Sequence, residues 1–195
     1  TIILPIMLMA LDLPLPKQVF GHGWLIINGG KISKSLGNYK DPREYISLYG
    51  VDAVRYFVLR EVPFGNDGNF SEEALINRTN ADLANVLGNL VNRTIGMVNK
   101  YFDGQVPEYN WTPDEVDEQI EKFSLEQIEK FEKLFEDFEI ANSIQEIWNL
   151  ISRTNKYIDE TMPWQLAKEE ETEKLKSAMY HLIENLRKIA ILIKP

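Results

Sequence analysis

Gly29-Gly30-Lys31-Ile32-Ser33-Lys34-Ser35-Leu36-Gly37-Asn38 brings three glycines, two lysines and two serines into ten positions of a 195-residue chain. A strand-like apolar run precedes it and a helix start follows, which predicts a small α/β unit folded around a loop. Glycine has no Cβ and tolerates φ > 0, so a backbone rich in it can approach a ligand closely. Lysines supply point cations, while serines and free amides supply donors, a set suited to an anion such as a polyphosphate. The spacing matches neither the G-x-x-x-x-G-K-[ST] phosphate loop nor the G-x-G-x-x-G dinucleotide fingerprint. Taken alone, the stretch is equally readable as a basic surface turn.

Upstream, Val19 to Ile27 is rich in β-branched and aromatic residues and reads as a buried strand. Before that, Thr1–Leu13 is apolar and broken by Pro5, and it opens as though inside a larger domain. Downstream, Asp41-Pro42-Arg43-Glu44 predicts a short helix with Asp at N-cap, Pro at N1 and Glu at N3, ended by Gly50. The next helix begins at Val51 and runs through Asp52-Ala53-Val54-Arg55 to Arg60, where an ion-paired Arg55 would brace the loop. Pro63 to Gly68 reads as a turn, sharpest at Asp67-Gly68.

From Ser71 the pattern changes to long helices. Ser71 is the N-cap, Glu72 and Glu73 favour the first-turn dipole, and Phe70 and Leu75 occupy staple positions. Leu75, Leu83, Val86, Leu87, Leu90, Val91, Ile95, Val98 and Phe102 recur at helical spacing as a core face. Gly104 and Pro107 close this helix, which would be roughly 45 Å long. Thr112-Pro113-Asp114-Glu115 reads as a capping box with Thr112 at N-cap, opening a second helix that runs to about Phe138. Its apolar positions are Ile120, Phe123, Ile128, Phe131, Leu134, Phe135 and Phe138. A third helix spans about Ile140–Asp159, Glu160 to Lys168 reads as an irregular connection, and a fourth runs from near Glu169 to the end. The fold expected is mainly α: a small α/β region over residues 1–66, then an antiparallel α-helical bundle over residues 67–195.

Composition removes several function classes. There is no cysteine, and the histidines are two, His22 and His181, so neither a disulfide nor a zinc site is expected. No apolar run approaches the ~20 residues that span a bilayer, and no signal peptide is read at the start, so a cytoplasmic protein is expected. Asn-x-Ser/Thr sequons at Asn69, Asn77, Asn92 and Asn110 are read as chance. The net charge of −9 argues against a generic nucleic-acid binder. The excess is local, however: residues 112–139 hold eleven acidic and three basic residues, whereas residues 1–60 hold four and seven. The acidic segment is expected to be a solvated helix face.

Lys31-Ile32-Ser33-Lys34-Ser35 resembles the KMSKS signature of class I aminoacyl-tRNA synthetases, with Ile32 in place of Met. Its flanks, Pro5-Ile6-Met7-Leu8-Met9-Ala10 and Val19-Phe20-Gly21-His22-Gly23-Trp24, resemble the methionyl-tRNA synthetase family in particular. So do Asp52-Ala53-Val54-Arg55, the pair Asn89 and Arg93 in Gly88-Asn89-Leu90-Val91-Asn92-Arg93, and Pro163-Trp164. The resemblance implies that residues 1–66 form the C-terminal end of the catalytic domain with its stem-contact region. Residues 67–195 would then be the anticodon-binding bundle. It also implies ATP (with Mg2+ in the intact enzyme) and methionine as substrates, and tRNA(Met) as partner.

By the same resemblance, Lys31, Ser33, Lys34 and Ser35 would bind ATP, with Lys31 and Lys34 catalytic. Asn89, Arg93, Pro163 and Trp164 would read the CAU anticodon, with Asn155 and Lys156 as further candidates. The family's H-I-G-H signature and zinc-bearing insertion would lie upstream, in a missing N-terminal catalytic half, so the chain is expected inactive alone. Thr1-Ile2-Ile3-Leu4-Pro5 departs from the family's H-T-I-Y-W-P-like segment at Ile3 and Leu4. A non-catalytic RNA-binding helical module, or a class I synthetase of another amino-acid specificity, remains the alternative.

Overall fold

The computed structural model describes residues 2–27, 30–32, 41–108 and 112–194. Nine α-helices, three short strands and one π-helical segment occur among them. In order they are α1 (Ile3–Ala10), β1 (Leu25–Ile27), β2 (Gly30–Lys31), α2 (Pro42–Tyr49), α3 (Val51–Glu61) and β3 (Gly68–Phe70). Then come α4 (Glu72–Arg78), the π-helix Thr79–Gly88, α5 (Asn89–Phe102), α6 (Glu115–Glu136), α7 (Ile140–Thr161), α8 (Pro163–Lys168) and α9 (Thr172–Leu192). The protein is thus mainly helical with one small sheet. No helix among the described residues is long and apolar enough to cross a membrane.

The sheet has strand order β2-β1-β3. β1 pairs antiparallel with β2, setting Ile26 opposite Lys31, and parallel with β3, setting Leu25 opposite Gly68 and Ile27 opposite Phe70. The expected buried strand from Val19 is therefore corrected: only Leu25–Ile27 is strand, and Val19, Phe20 and Trp24 are exposed. The reason is local crowding. A Cβ on Gly23 would lie 1.8 Å from the Asn66 carbonyl oxygen, so the chain passes too tightly against the 63–67 turn to extend the ladder. Asp67 fastens that crossing by accepting from the Trp24 N–H at 2.7 Å. The Pro-broken segment at the start is also corrected, since α1 is helical and Pro5 sits in its first turn, where a missing N–H costs no hydrogen bond.

A small core gathers Tyr45, Val54, Phe57, Phe70 and Leu75, with Phe70 edge-on to Tyr45 at 4.8 Å and to Phe57 at 5.4 Å. Contributions thus come from both sides of residue 66. Asp41 caps α2 by accepting from the Arg43 N–H at 2.9 Å. Gly50, at φ 84, ends α2 and starts α3 in one step, a backbone state glycine reaches without strain. The Arg43 guanidinium and N–H bonded to Asp41 hold its carboxyl down at about 2.

A larger core takes Leu90 and Val98 from α5 and Ile120 from α6. From α7 it takes Ile147, Trp148, Leu150, Ile151, Tyr157 and Ile158, and from α9 Leu175, Ala178, Met179, Leu182 and Ile189. α7 is buried along most of its length and touches each of the other three. α3 serves both cores: Phe57 points into the small one, while Tyr56 stacks on Trp148 of α7 at 4.6 Å.

Several helix readings are corrected. The cap of α6 is Asp114, not Thr112. Its carboxylate accepts from the N–H groups of Val116 (2.9 Å) and Asp117 (3.0 Å), and Asp117 reaches back to the Asp114 N–H. One carboxylate that satisfies two first-turn amides fixes the helix start at Asp114, so Thr112 and Pro113 precede the helix. Residues 160–168 are not irregular: α7 continues to Thr161, Met162 turns through φ 43, and α8 starts on Pro163. Phe138 lies past the end of α6, at φ 62. Val91 and Ile95 are 41% and 48% exposed, while Thr94 is buried in their stead. The π-helix changes the angular step over ten residues, so the face computed from Leu75 no longer meets α5 in phase.

Polar groups also enter the large core. Asp117 on α6 is buried and accepts from the hydroxyls of Tyr157 and Ser177, with His181 Nδ1 4.0 Å away. Burial, then the bond to Asp117, pushes the Tyr157 hydroxyl far above its ordinary range, so it remains a donor.

Candidate functional site

Lys31, at the end of β2, is exposed, and its Nζ sits 4.4 Å over the Trp24 ring. That placement is a cation–π contact, and it holds the ammonium group beside the β1–β2 pair. Ser33, Lys34 and Ser35 lie outside the described residues.

The second group of residues lies on the long helices. Asn89 is the first residue of α5 and is exposed; Arg93 follows one turn later on the same face. The Arg93 guanidinium donates to Asp159 Oδ1 of α7 at 2.7 Å. Asp159 stands in the last turn of α7, just before Met162 redirects the chain into α8. Pro163 opens α8 as a buried N1 residue, where its lost N–H costs no bond. Trp164 follows at 47% exposure. The Arg93–Asp159 pair therefore joins the Asn89–Arg93 face to the helix end that carries Pro163-Trp164.

The remaining candidates divide. Lys156 pairs with Glu160 at 3.3 Å and keeps most of its side chain in water. Arg153, which sequence reading passed over, donates to the same Glu160 at 2.9 Å. Asn155 is half buried, and its amide Nδ2 donates to the carbonyls of Val86 (3.2 Å) and Ile151 (3.3 Å). Asp159 was likewise passed over; its i, i+4 relation to Asn155 was legible, but its partner on α5 was not.

A second network ties the helix ahead of Asn89 to α3. Asp82, in the π-helix, accepts from the Tyr56 hydroxyl at 2.6 Å and from Arg78 at 3.3 Å, and Arg78 also pairs with Glu61. Burial and then Asp82 push the Tyr56 hydroxyl above its usual range. Burial opposes the Arg78 charge, but Glu61 and Asp82 outweigh it and raise the guanidinium further. The Arg60 guanidinium bonds the Gln145 side chain of α7. Among the described residues, no group of three or more His, Cys, Asp or Glu is arranged to hold a metal ion.

A family model described as tRNA synthetases class I (M) matches residues 1–95. The methionine–tRNA ligase of Caldanaerobacter subterraneus subsp. tengcongensis is 58% identical over all of this chain, which covers 31% of that protein. The methionine–tRNA ligase of Bacillus subtilis is 55% identical, again over all of this chain and 30% of its own length. Among solved structures, Mycobacterium tuberculosis methionyl-tRNA synthetase in complex with methionyl-adenylate superposes with a TM-score of 0.89 at 39% identity. The match covers 98% of this chain and 38% of that one. Its apo form gives a TM-score of 0.85 at 36% identity, covering 99% and 38%. The chain spans about 30% of the length of the curated relatives it matches. From end to end, it is homologous to the methionine–tRNA ligases, which are class I aminoacyl-tRNA synthetases.

Proposed function

We propose that this chain is part of a methionine–tRNA ligase and supplies two of its working pieces. Residues 1–66 carry the KMSKS-like loop at the end of the catalytic domain, and residues 67–195 read the CAU anticodon of tRNA(Met). In the complete enzyme the methionine carboxylate attacks the α-phosphate of ATP, the P–O bond to pyrophosphate breaks, and methionyl-adenylate forms. Negative charge shifts across the phosphate oxygens as those bonds change, and a positioned cation lowers that barrier. Lys34 is assigned to the transition-state phosphates, while Lys31 holds the triphosphate, with Ser33 and Ser35 shaping the loop. Magnesium, in this reading, arrives with ATP; the described residues offer it no dedicated carboxylate set.

Anticodon reading rests on one observation: the 2.7 Å Arg93–Asp159 pair brings together residues 66 positions apart, in the last turn of α7 that leads into the proline-started helix bearing the exposed Trp164. A single-stranded base is read by stacking and by bonds to its edge. Trp164 supplies the stacking surface, worth roughly 1–3 kcal/mol per base. Asn89 supplies an amide for the base edge, and Arg93 supplies bidentate donors once it exchanges Asp159 for RNA.

The test is binding of this chain to an anticodon stem-loop carrying CAU and to one with the first base changed, at two salt concentrations. Preference for CAU that disappears in Trp164→Ala supports the reading. Equal, salt-sensitive binding to both loops reduces it to backbone electrostatics and sinks it. For the loop, the chain supplemented with an N-terminal catalytic half should catalyse methionine-dependent ATP–pyrophosphate exchange. Lys34→Ala should slow that exchange on the order of 10²–10³-fold; normal exchange in the variant removes Lys34 from its role.

A further inference from the structure

Between Thr79 and Gly88 the long helix is wound as a π-helix for ten residues. Such segments are rare beyond a single turn, and the hydrogen-bond ladder changes its step where it rejoins the α form. The rejoining point is Val86–Asn89, where the Asn89 N–H turns to the Val86 carbonyl three residues back. The same carbonyl accepts from Asn155 Nδ2 of α7 at 3.2 Å, and Nδ2 also donates to Ile151 on its own helix at 3.3 Å. One turn further along α7, Asp159 holds Arg93. α7 thus grips this helix at Val86 and at Arg93, and Asn89 lies between the two grips.

We infer that Asn155 is a positioning residue for base recognition: its amide pins the π-to-α junction and thereby fixes the direction in which Asn89 is presented. The inference rests on the proposed role of Asn89 as a base reader. Both protons of the Asn155 amide are engaged with carbonyls, so it does not itself donate to an RNA base. Without that bond the Val86 carbonyl keeps its backbone partner, so the helix persists while its junction loosens. The consequence falls on selectivity rather than on general RNA affinity, because a neutral amide contributes no counterion release.

The experiment uses the whole chain with CAU and first-base-changed stem-loops, in native protein, Asn155→Ala, Asn155→Asp, Asn89→Ala and the Asn89→Ala/Asn155→Ala double variant. Asn155→Asp retains the shape but places a carboxylate against the Val86 carbonyl, so it should behave like Asn155→Ala. Both are expected to lower the CAU preference roughly tenfold, the scale of one hydrogen bond, and Asn155→Ala, which adds no charge, should leave the salt slope unchanged. The double variant should be no worse than Asn89→Ala, since one residue acts through the other. Amide hydrogen exchange at Asn89 should accelerate in both Asn155 variants in the absence of RNA. Additive losses, equal weakening toward both loops, or unchanged exchange at Asn89 each overturn the inference. Native protein without CAU preference removes the base-reading proposal instead, and the exchange measurement then still decides whether Asn155 holds the junction.

Discussion

The small core gathers around one side chain, Phe70, whereas the large core is strung along a whole helix, α7. In the small core the backbone itself makes close crossings. Gly23 passes against the Asn66 carbonyl, and Gly68 leaves room that the Val62 side chain fills to within 2.4 Å of where a Cβ would stand. In the large core the elements keep helix-to-helix distances, and periodic Ile, Leu and Met side chains fill the space between them. A core made by backbone proximity tolerates little change at a few glycines. A core made by side-chain periodicity spreads its dependence over many positions, each worth about 1.5–3 kcal/mol of burial. The proposed anticodon residues Asn89, Arg93 and Trp164 belong to the second kind of region, on helices α5 and α8 that pack by side-chain registration. α3 is common to both cores, with Phe57 on one side and Tyr56 on the other.

The largest expected effect comes from emptying each core in turn. Leu150→Ala on α7 should cost about 2–5 kcal/mol and Phe70→Ala about 3–5 kcal/mol. Chemical denaturation followed by tryptophan fluorescence distinguishes the alternatives for their coupling. If α3 welds the cores, Phe70→Ala shifts one cooperative transition. If they are separable, it splits the transition and leaves the helical part near its native midpoint. The next effect belongs to the small core alone. Gly23→Ala drives a methyl into a backbone carbonyl and should destabilise by about 1–3 kcal/mol or more, with amide exchange rising at Leu25–Ile27 but not on α7. Exchange that rises equally in both regions would erase the distinction.

Tyr157→Phe tests the large core's polar centre. It removes one of the two hydroxyls that Asp117 accepts from, and a buried carboxylate left short of donors should cost about 1–3 kcal/mol. A Tm no lower than native would mean that the Ser177 hydroxyl and the Asp114 N–H satisfy Asp117 between them. The smallest effect is at the α2 cap. Asp41 has its carboxyl lowered from 3.8 to about 2, so its contribution is fully present above pH 4 and fades as pH falls toward 2. In Asp41→Asn this acid-dependent part should vanish, and a pH titration of α2 helicity by NMR checks it.

Much of the fold was legible because its signals are short-range. Asp41, Gly50 and Ser71 were found where sequence placed them, since a cap bonds amides two or three residues away and a positive φ is a property of one residue. The Thr112 reading failed against Asp114 for want of two hydrogen bonds that sequence cannot rank. Of the candidate site, Asn89 and Arg93 were visible one helical turn apart, while their proposed role and that of Pro163-Trp164 came from the family resemblance. Their convergence was not visible, because Asp159 meets Arg93 across 66 residues.

What sequence by itself determined is therefore the run of long helices from Ser71 onward, the caps at Asp41, Gly50 and Ser71, and many of the residues that face inward, whereas the helical state of α1 and α8 was not read from it. Tertiary structure decided the parallel pairing of Leu25 with Gly68, the π winding of Thr79–Gly88 and the burial of Asp117, Ser124 and Gln127 on the inner face of α6. Caps and phases arise from bonds within one or two turns, which the local residues specify. Sheet partners, buried polar groups and the grip of α7 on Val86 and Arg93 arise from groups brought together only when distant segments pack.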